Sequence, residues 1–153
     1  MKELKVGDVI PHFTAIDTEG NTFDSTSVVG SKPLVIYFYP KDNTPGCTAQ
    51  ACSFRDQYED FKDLGAEVIG ISSDSLASHQ KFSKQYRLPF ILLSDSDKAI
   101  RKSFGVPTGL FGLVPGRVTY VTDKQGVVQM VFDSVLATKH IPKALQAIKK
   151  LVL

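Results

Sequence analysis

The stretch from Pro33 to Ser72 constrains the fold more than any other part of the chain. Pro33 to Tyr39 is an apolar and aromatic run containing Val and Ile, and it stops at Pro40. Such a run reads as a strand buried on both faces. From about Pro45 to Leu64 the period changes. Cys47, Ala51, Phe54, Tyr58 and Phe61 recur at alternating steps of four and three, which gathers them on one face of a helix. Gly65 is placed to end that helix. Ala66 to Ser72 is then a second buried strand.

The rest of the chain extends this alternation. Phe13 to Asp17 and Asn21 to Phe23 flank Thr18-Glu19-Gly20 and read as a short hairpin. Ser75 to Tyr86 reads as a helix with Ser75 as its cap. Phe90 to Leu93 is a short strand, and Asp95 to Phe104 a short helix. Gly105 to Gly116 is rich in Gly and Pro and reads as a loop. Its Leu110, Phe111, Leu113 and Val114 suit either a pocket wall or a cover for a helix. Arg117 to Thr122 and Val127 to Phe132 form a second hairpin around Asp123-Lys124-Gln125-Gly126. His140 to Leu153 is a closing helix with Ile141, Leu145, Ile148 and Leu151 on its apolar side. Strands alternating with helices, then a hairpin and a helix, indicate one three-layer α/β domain over residues 1–153. A thioredoxin-like sheet fits that order.

Composition narrows the function. The 18 basic and 16 acidic residues leave a formal charge of +2 and are interspersed, which argues against nucleic acid or an anionic membrane as the main partner. No apolar run approaches the roughly 20 residues of a bilayer span. No export signal is read at the start, so a cytoplasmic location is expected, or a plastid if the chain is a processed form. Two cysteines are too few for a disulfide scaffold; a close pair in a reducing compartment is usually catalytic or redox-sensing. His12, His79 and His140 have no metal-ligand spacing, no phosphate-loop motif occurs, and no metal or other cofactor is expected.

The informative stretch is YFYPKDNTPGCTAQACSFRD, residues 37–56. Thr44 can cap the helix and Pro45 suits its first position. Cys47 then falls in the first turn, where unpaired N–H groups and the helix dipole favour a thiolate over a thiol. The thiolate is the nucleophilic form. Cys52, five residues on, would lie about 140° away around the helix, with Cα atoms roughly 8–9 Å apart. A disulfide needs Cα atoms within about 7 Å. A bond between the two therefore requires the first turns to unwind, which Gly46 and the small Thr48 and Ala49 ease. Arg55 suits an i,i+4 pair with Glu59.

The pattern Pro40, Thr44, Cys47 resembles the peroxiredoxin active-site signature. The spacing of Cys47 and Cys52 with PGCT around the first is similar to the peroxiredoxin Q branch, also called bacterioferritin comigratory protein. The resemblance runs through VGDVIPHFTAID, VIGISSDS and GRVTYVTDKQGVV, the last closest to cyanobacterial and plastid forms. It implies a thioredoxin-like fold with an N-terminal hairpin extension. It implies that Cys47 is the peroxidatic and Cys52 the resolving cysteine, joined in turn as an intramolecular disulfide. Thr44 would hold the peroxide, Arg117 would stand beside the sulfur, Pro40 would shield the pocket and Gly46 would line it. The substrates would be hydrogen peroxide and organic hydroperoxides, the reductant a thioredoxin or similar dithiol, and the protein a monomer or weak dimer. Two rivals are a thiol–disulfide oxidoreductase, for which the usual C-x-x-C is missing, and a redox-regulated holdase.

Overall fold

The computed structural model describes residues 3–109 and 114–152. A seven-stranded sheet forms its centre. In chain order the strands and helices are β1 (Thr14–Ile16), β2 (Thr22–Asp24), β3 (Leu34–Phe38), α1 (Pro45–Asp63), β4 (Glu67–Ser72), α2 (Leu76–Tyr86), β5 (Ile91–Ser94), α3 (Ala99–Phe104), β6 (Thr108–Gly109), β7 (Val114–Pro115), β8 (Val118–Thr122), β9 (Val128–Asp133) and α4 (His140–Val152). The sheet order is β2-β1-β5-β4-β3-β8-β9. β3, β4 and β5 run parallel, while β8 and β9 are antiparallel to their neighbours. The N-terminal hairpin joins the edge through Ile16 opposite Ser94. This is the expected thioredoxin-like arrangement with a hairpin extension.

Strand alternation sorts the core into two layers. Val35, Tyr37 and Tyr39 face α1, α2 and α4, where Phe54, Phe61, Phe82, Ala144 and Ile148 fill the space. Leu34, Ile36 and Phe38 face the other way, onto Ile100 and Phe104 of α3 and onto Ile10, Phe13 and Val28. Both layers are apolar, so β3 has no solvated side and every one of its residues is buried. Gly70 of β4 makes this possible: a Cβ there would lie 2.8 Å from Tyr37 Cζ and 2.9 Å from Leu92 Cδ2. Tyr37 uses that space to stack on Phe54, with centroids 4.6 Å apart.

Helix ends follow local chemistry. Gly65, at φ +80°, lets the chain leave α1, and Ala66 N–H then bonds Phe61 C=O at 3.0 Å. Ser75 caps α2 as expected, its hydroxyl accepting from Ser78 N–H at 3.2 Å. The third helix is shorter than its sequence pattern, because Asp95 lies outside it. The Asp95 carboxylate accepts the N–H groups of Ile100 and Arg101, each at 2.9 Å, and so caps α3 across a turn. Gly105 to Gly116 is not wholly a loop: β6 and β7 pair within it, Thr108 opposite Pro115 and Gly109 opposite Val114. Leu110, Phe111 and Leu113, with the side chain of Val114, lie outside the described residues. Arg55 does not pair with Glu59. Its Nε donates to Asp56 at 3.0 Å and its Nη1 to Tyr86 C=O at 2.8 Å, a carbonyl in the last turn of α2 that has no helical partner.

Candidate active site

The site forms where β3 runs into α1 and where the start of β8 passes beside it. β3 and β8 are paired in register, Phe38 opposite Val118. That register sets the residue before β8, Arg117, against the first turn of α1. Arg117 Nη2 donates to Cys47 Sγ at 3.4 Å, and Nη1 donates to Gln50 Oε1. The guanidinium thus bridges the sulfur and a side chain one helical turn later. Gly46 permits this approach, since a Cβ there would stand 3.0 Å from Nη2.

Cys47 is 1% exposed and packs into the layer formed by α1, α2 and α4. Cys52 is half-buried. Both are free thiols on one unbroken helix, Pro45–Asp63. In that helix they stand too far apart to bond.

Thr44 occupies the position before α1, at φ −88° and ψ 153°, but its side chain does not cap the helix. Its Oγ1 donates instead to Lys41 C=O at 2.8 Å, which closes the preceding turn on itself. The hydroxyl proton is therefore spent, and the oxygen keeps lone pairs for another donor. Pro40 lies two residues past the end of β3 and is half-buried. The structure brings Cys47, Gly46 and Arg117 into contact, whereas Thr44 and Pro40 sit upstream on the connecting turn.

Other residues shape the site without standing out in the sequence. Gln50 is fully buried and orients Arg117. Its place three residues after Cys47, on the same helical face, is the signal that would have found it. Arg101 is buried on the far side of β3 and over the Phe38 ring. It donates to Gly116 C=O at 3.2 Å and to Tyr39 C=O at 3.3 Å, the carbonyls immediately before Arg117 and Pro40. Burial lowers its pKa, opposed by Asp95. No periodicity in the sequence marks that role. Tyr37 lies fully buried, and desolvation, reinforced by the nearby Cys47, pushes its hydroxyl well above its ordinary value.

His140 closes the same end of the sheet. Its Nε2 donates to Ser134 C=O at 2.8 Å, so its Nδ1 accepts from Thr119 Oγ1 at 2.7 Å. Desolvation lowers its pKa, partly offset by the Ser134 carbonyl, with the Arg117 charge adding to the fall. The imidazole is neutral and holds the start of α4 beside β8.

A strand-to-helix junction carrying one buried sulfur against a guanidinium decides the comparison. Residues 6–131 match the AhpC/TSA family. The chain belongs to that family. A chloroplastic peroxiredoxin Q from Triticum aestivum is 55% identical over 150 residues, covering 97% of this chain and 69% of its own. Among solved structures, peroxidoxin BcpB from Mycobacterium tuberculosis superposes with a TM-score of 0.89 at 34% identity, covering 97% of this chain and 99% of its own. A bacterioferritin comigratory protein from Xanthomonas campestris, studied for alkyl peroxide reduction, gives 0.86 at 30% identity over 95% of this chain and 100% of its own. The peroxiredoxin Q branch is thus the one to which this chain is similar in sequence and fold. Its chemistry is that of a thiol-dependent peroxidase with two cysteines.

Proposed function

We propose that Cys47 is the sulfur that attacks the hydroperoxide and that Cys52 resolves the product. The observation that carries this assignment is Arg117 Nη2 at 3.4 Å from Cys47 Sγ. The guanidinium offers a fixed donor where charge develops as the O–O bond breaks. The thiolate attacks one peroxide oxygen, an S–O bond forms, and the O–O bond breaks. The other oxygen leaves as hydroxide or alkoxide and takes up a proton. Cys47 is then a sulfenic acid. The thiolate of Cys52 attacks that sulfur, an S–S bond forms, the S–O bond breaks, and the oxygen leaves as water after protonation. A dithiol protein of the thioredoxin type reduces the disulfide by exchange and is itself oxidised.

Thr44 accepts a hydrogen bond from the peroxide through the lone pairs its turn leaves free, and Pro40 and Gly46 line the same approach. Hydrogen peroxide and organic hydroperoxides are the substrates; the alkyl peroxide activity of the Xanthomonas relative supports the second class. The chloroplastic names of the relatives favour a plastid over the cytoplasm as the place of action. The protein acts as a monomer or weak dimer.

Single-turnover stopped-flow mixing of the reduced protein with hydrogen peroxide tests the assignment. The expected result is a fast spectroscopic phase that Cys47→Ser removes. A phase that survives Cys47→Ser overturns it.

A further inference from the structure

Behind the turn that leads into α1 lies a buried Asp–His pair for which the reaction steps above have no use. Asp42, on that turn, is 5% exposed, and His79, on α2, is 1% exposed. His79 Nδ1 lies 2.7 Å from Asp42 Oδ2, and His79 Nε2 lies 3.0 Å from Leu93 C=O. A carbonyl only accepts, so Nε2 carries a proton. Asp42 also accepts the hydroxyls of Ser78, at 2.8 Å, and of Tyr39. The 2.7 Å contact between Nδ1 and Oδ2 holds one proton between the two atoms. Asp74 completes the cluster: its Oδ2 accepts Asp42 N–H at 2.8 Å and Ser72 Oγ at 2.7 Å.

A buried polar cluster is an expensive way to hold a core together, because apolar side chains of like volume are often as stable or more so. What it supplies is a fixed position. The position it fixes is Asp42, five residues before Cys47 and three before the start of α1. The helix itself begins without a side-chain cap, and Thr44 turns its hydroxyl back to Lys41. Asn43, between them, sits at φ +61°, a left-handed conformation that costs energy for a residue with a Cβ. The first turn of α1 is therefore held less by its own termini than by the anchored residue before it.

We propose that the Asp42–His79 pair, with Ser78 and Tyr39, anchors the wound state of α1 and so sets the balance between attack by Cys47 and disulfide closure with Cys52. This rests on the assignment of the two cysteines made above. Attack needs the turn wound, with Cys47 on Arg117. Closure needs it unwound, since the intact helix keeps the sulfurs apart. The anchor's four side chains meet at Asp42 only while the turn is in place. Weakening it raises the unwound population. The first step slows, and the sulfenic acid spends less time exposed to a second peroxide. Asp42 and His79 are positioning residues, and neither touches substrate.

The experiment compares wild type with Ser78→Ala, which removes one hydroxyl donor, and His79→Asn, which keeps an amide donor toward Asp42 but loses the Leu93 contact. Val28→Ala, in the core on the opposite face of the sheet, is the control for simple loss of stability. Two quantities are read: the single-turnover rate with hydrogen peroxide, and the peroxide concentration giving half sulfinic acid at Cys47 by mass spectrometry. Ser78→Ala alone suffices if His79→Asn fails to fold. The expected result in the anchor variants is a half-sulfinic concentration higher on the order of fivefold, the scale of one hydrogen bond, and a first step that is slower by a smaller factor, since the wound state predominates. Val28→Ala moves neither. The anchor is overturned if the variants match wild type in both readouts, or if Val28→Ala shifts them equally. A wild-type Cys47 inert to peroxide sinks the cysteine assignment and the anchor with it. A reactive wild type with unmoved variants sinks the anchor alone.

Discussion

Gly46 and Arg117 are in contact: a Cβ on the glycine would lie 3.0 Å from Nη2, the nitrogen that stands 3.4 Å from Cys47 Sγ. The contact makes Gly46→Ala an unusual substitution. Alanine favours a helix over glycine by about 1 kcal/mol, so the variant should melt no lower than wild type. Its methyl group nevertheless pushes the guanidinium away from the sulfur by a few tenths of an ångström. Gln50 holds the other arm of Arg117 and limits how far it can swing aside. The expected outcome is a stable protein whose single-turnover rate with peroxide falls on the order of tenfold. An unchanged rate would show that Arg117 relocates freely.

Removing the guanidinium itself is a larger change. Arg117→Met keeps much of the stem but leaves Cys47 and Gln50 without their shared donor. Loss of one donor aimed at developing charge costs about 10²-fold in comparable sites, and the peroxide rate should fall by that order. Arg117→Lys should fall between the two, since one ammonium cannot fork to both partners. Stopped-flow rates at fixed pH order the series; a lysine variant equal to wild type would rule out the forked contact as the useful feature.

These contacts also show how far the sequence could be read. β3, α1 and β4 were legible because their burial leaves a pattern: a doubly buried strand is apolar throughout, and the inward face of α1 repeats at helical steps. Cys47 was legible because a helix start has its own residue grammar. Arg117 was not legible from pattern, as an arginine at a strand edge looks solvated, and only the family resemblance promoted it. Gln50 and Arg101 were missed because each is a polar residue buried for a single partner set, and pairing across β3 and β8 has no local signature. Thr44 carried the letters of a cap, yet Lys41 C=O, closed into the same turn, took the hydroxyl instead.

His140 gives the protein a predicted response to pH. Desolvation holds its pKa below the ordinary 6.5, with Arg117 adding to the fall. Above pH 6.5 both the folded and unfolded chains carry a neutral ring, and its contribution is fully present. As pH falls below 6.5, the unfolded chain takes up a proton that the folded one resists, so stability drops until the folded value is passed. Urea midpoints measured from pH 7.5 to pH 5 should therefore fall more steeply for wild type than for His140→Gln. Gln can still donate to Ser134 C=O but does not titrate. Parallel curves would refute a role for this ring.

Cys52 provides the last prediction. It lies off the buried face of α1, half-exposed, on a helix that must unwind before its sulfur can reach Cys47. Cys52→Ser therefore leaves the Arg117–Cys47 contact as it is, and the first attack should proceed at the wild-type rate within about twofold, the effect of a surface change distant from the reacting atoms. The sulfenic acid then has no partner. Turnover with thioredoxin should stop, and Cys47 should pass to sulfinic acid at lower peroxide than in wild type. Mass spectrometry after a peroxide titration reads both species. If Cys52→Ser keeps turning over with thioredoxin, the resolving thiol is supplied by another molecule, and the unwinding of α1 has no part in the cycle.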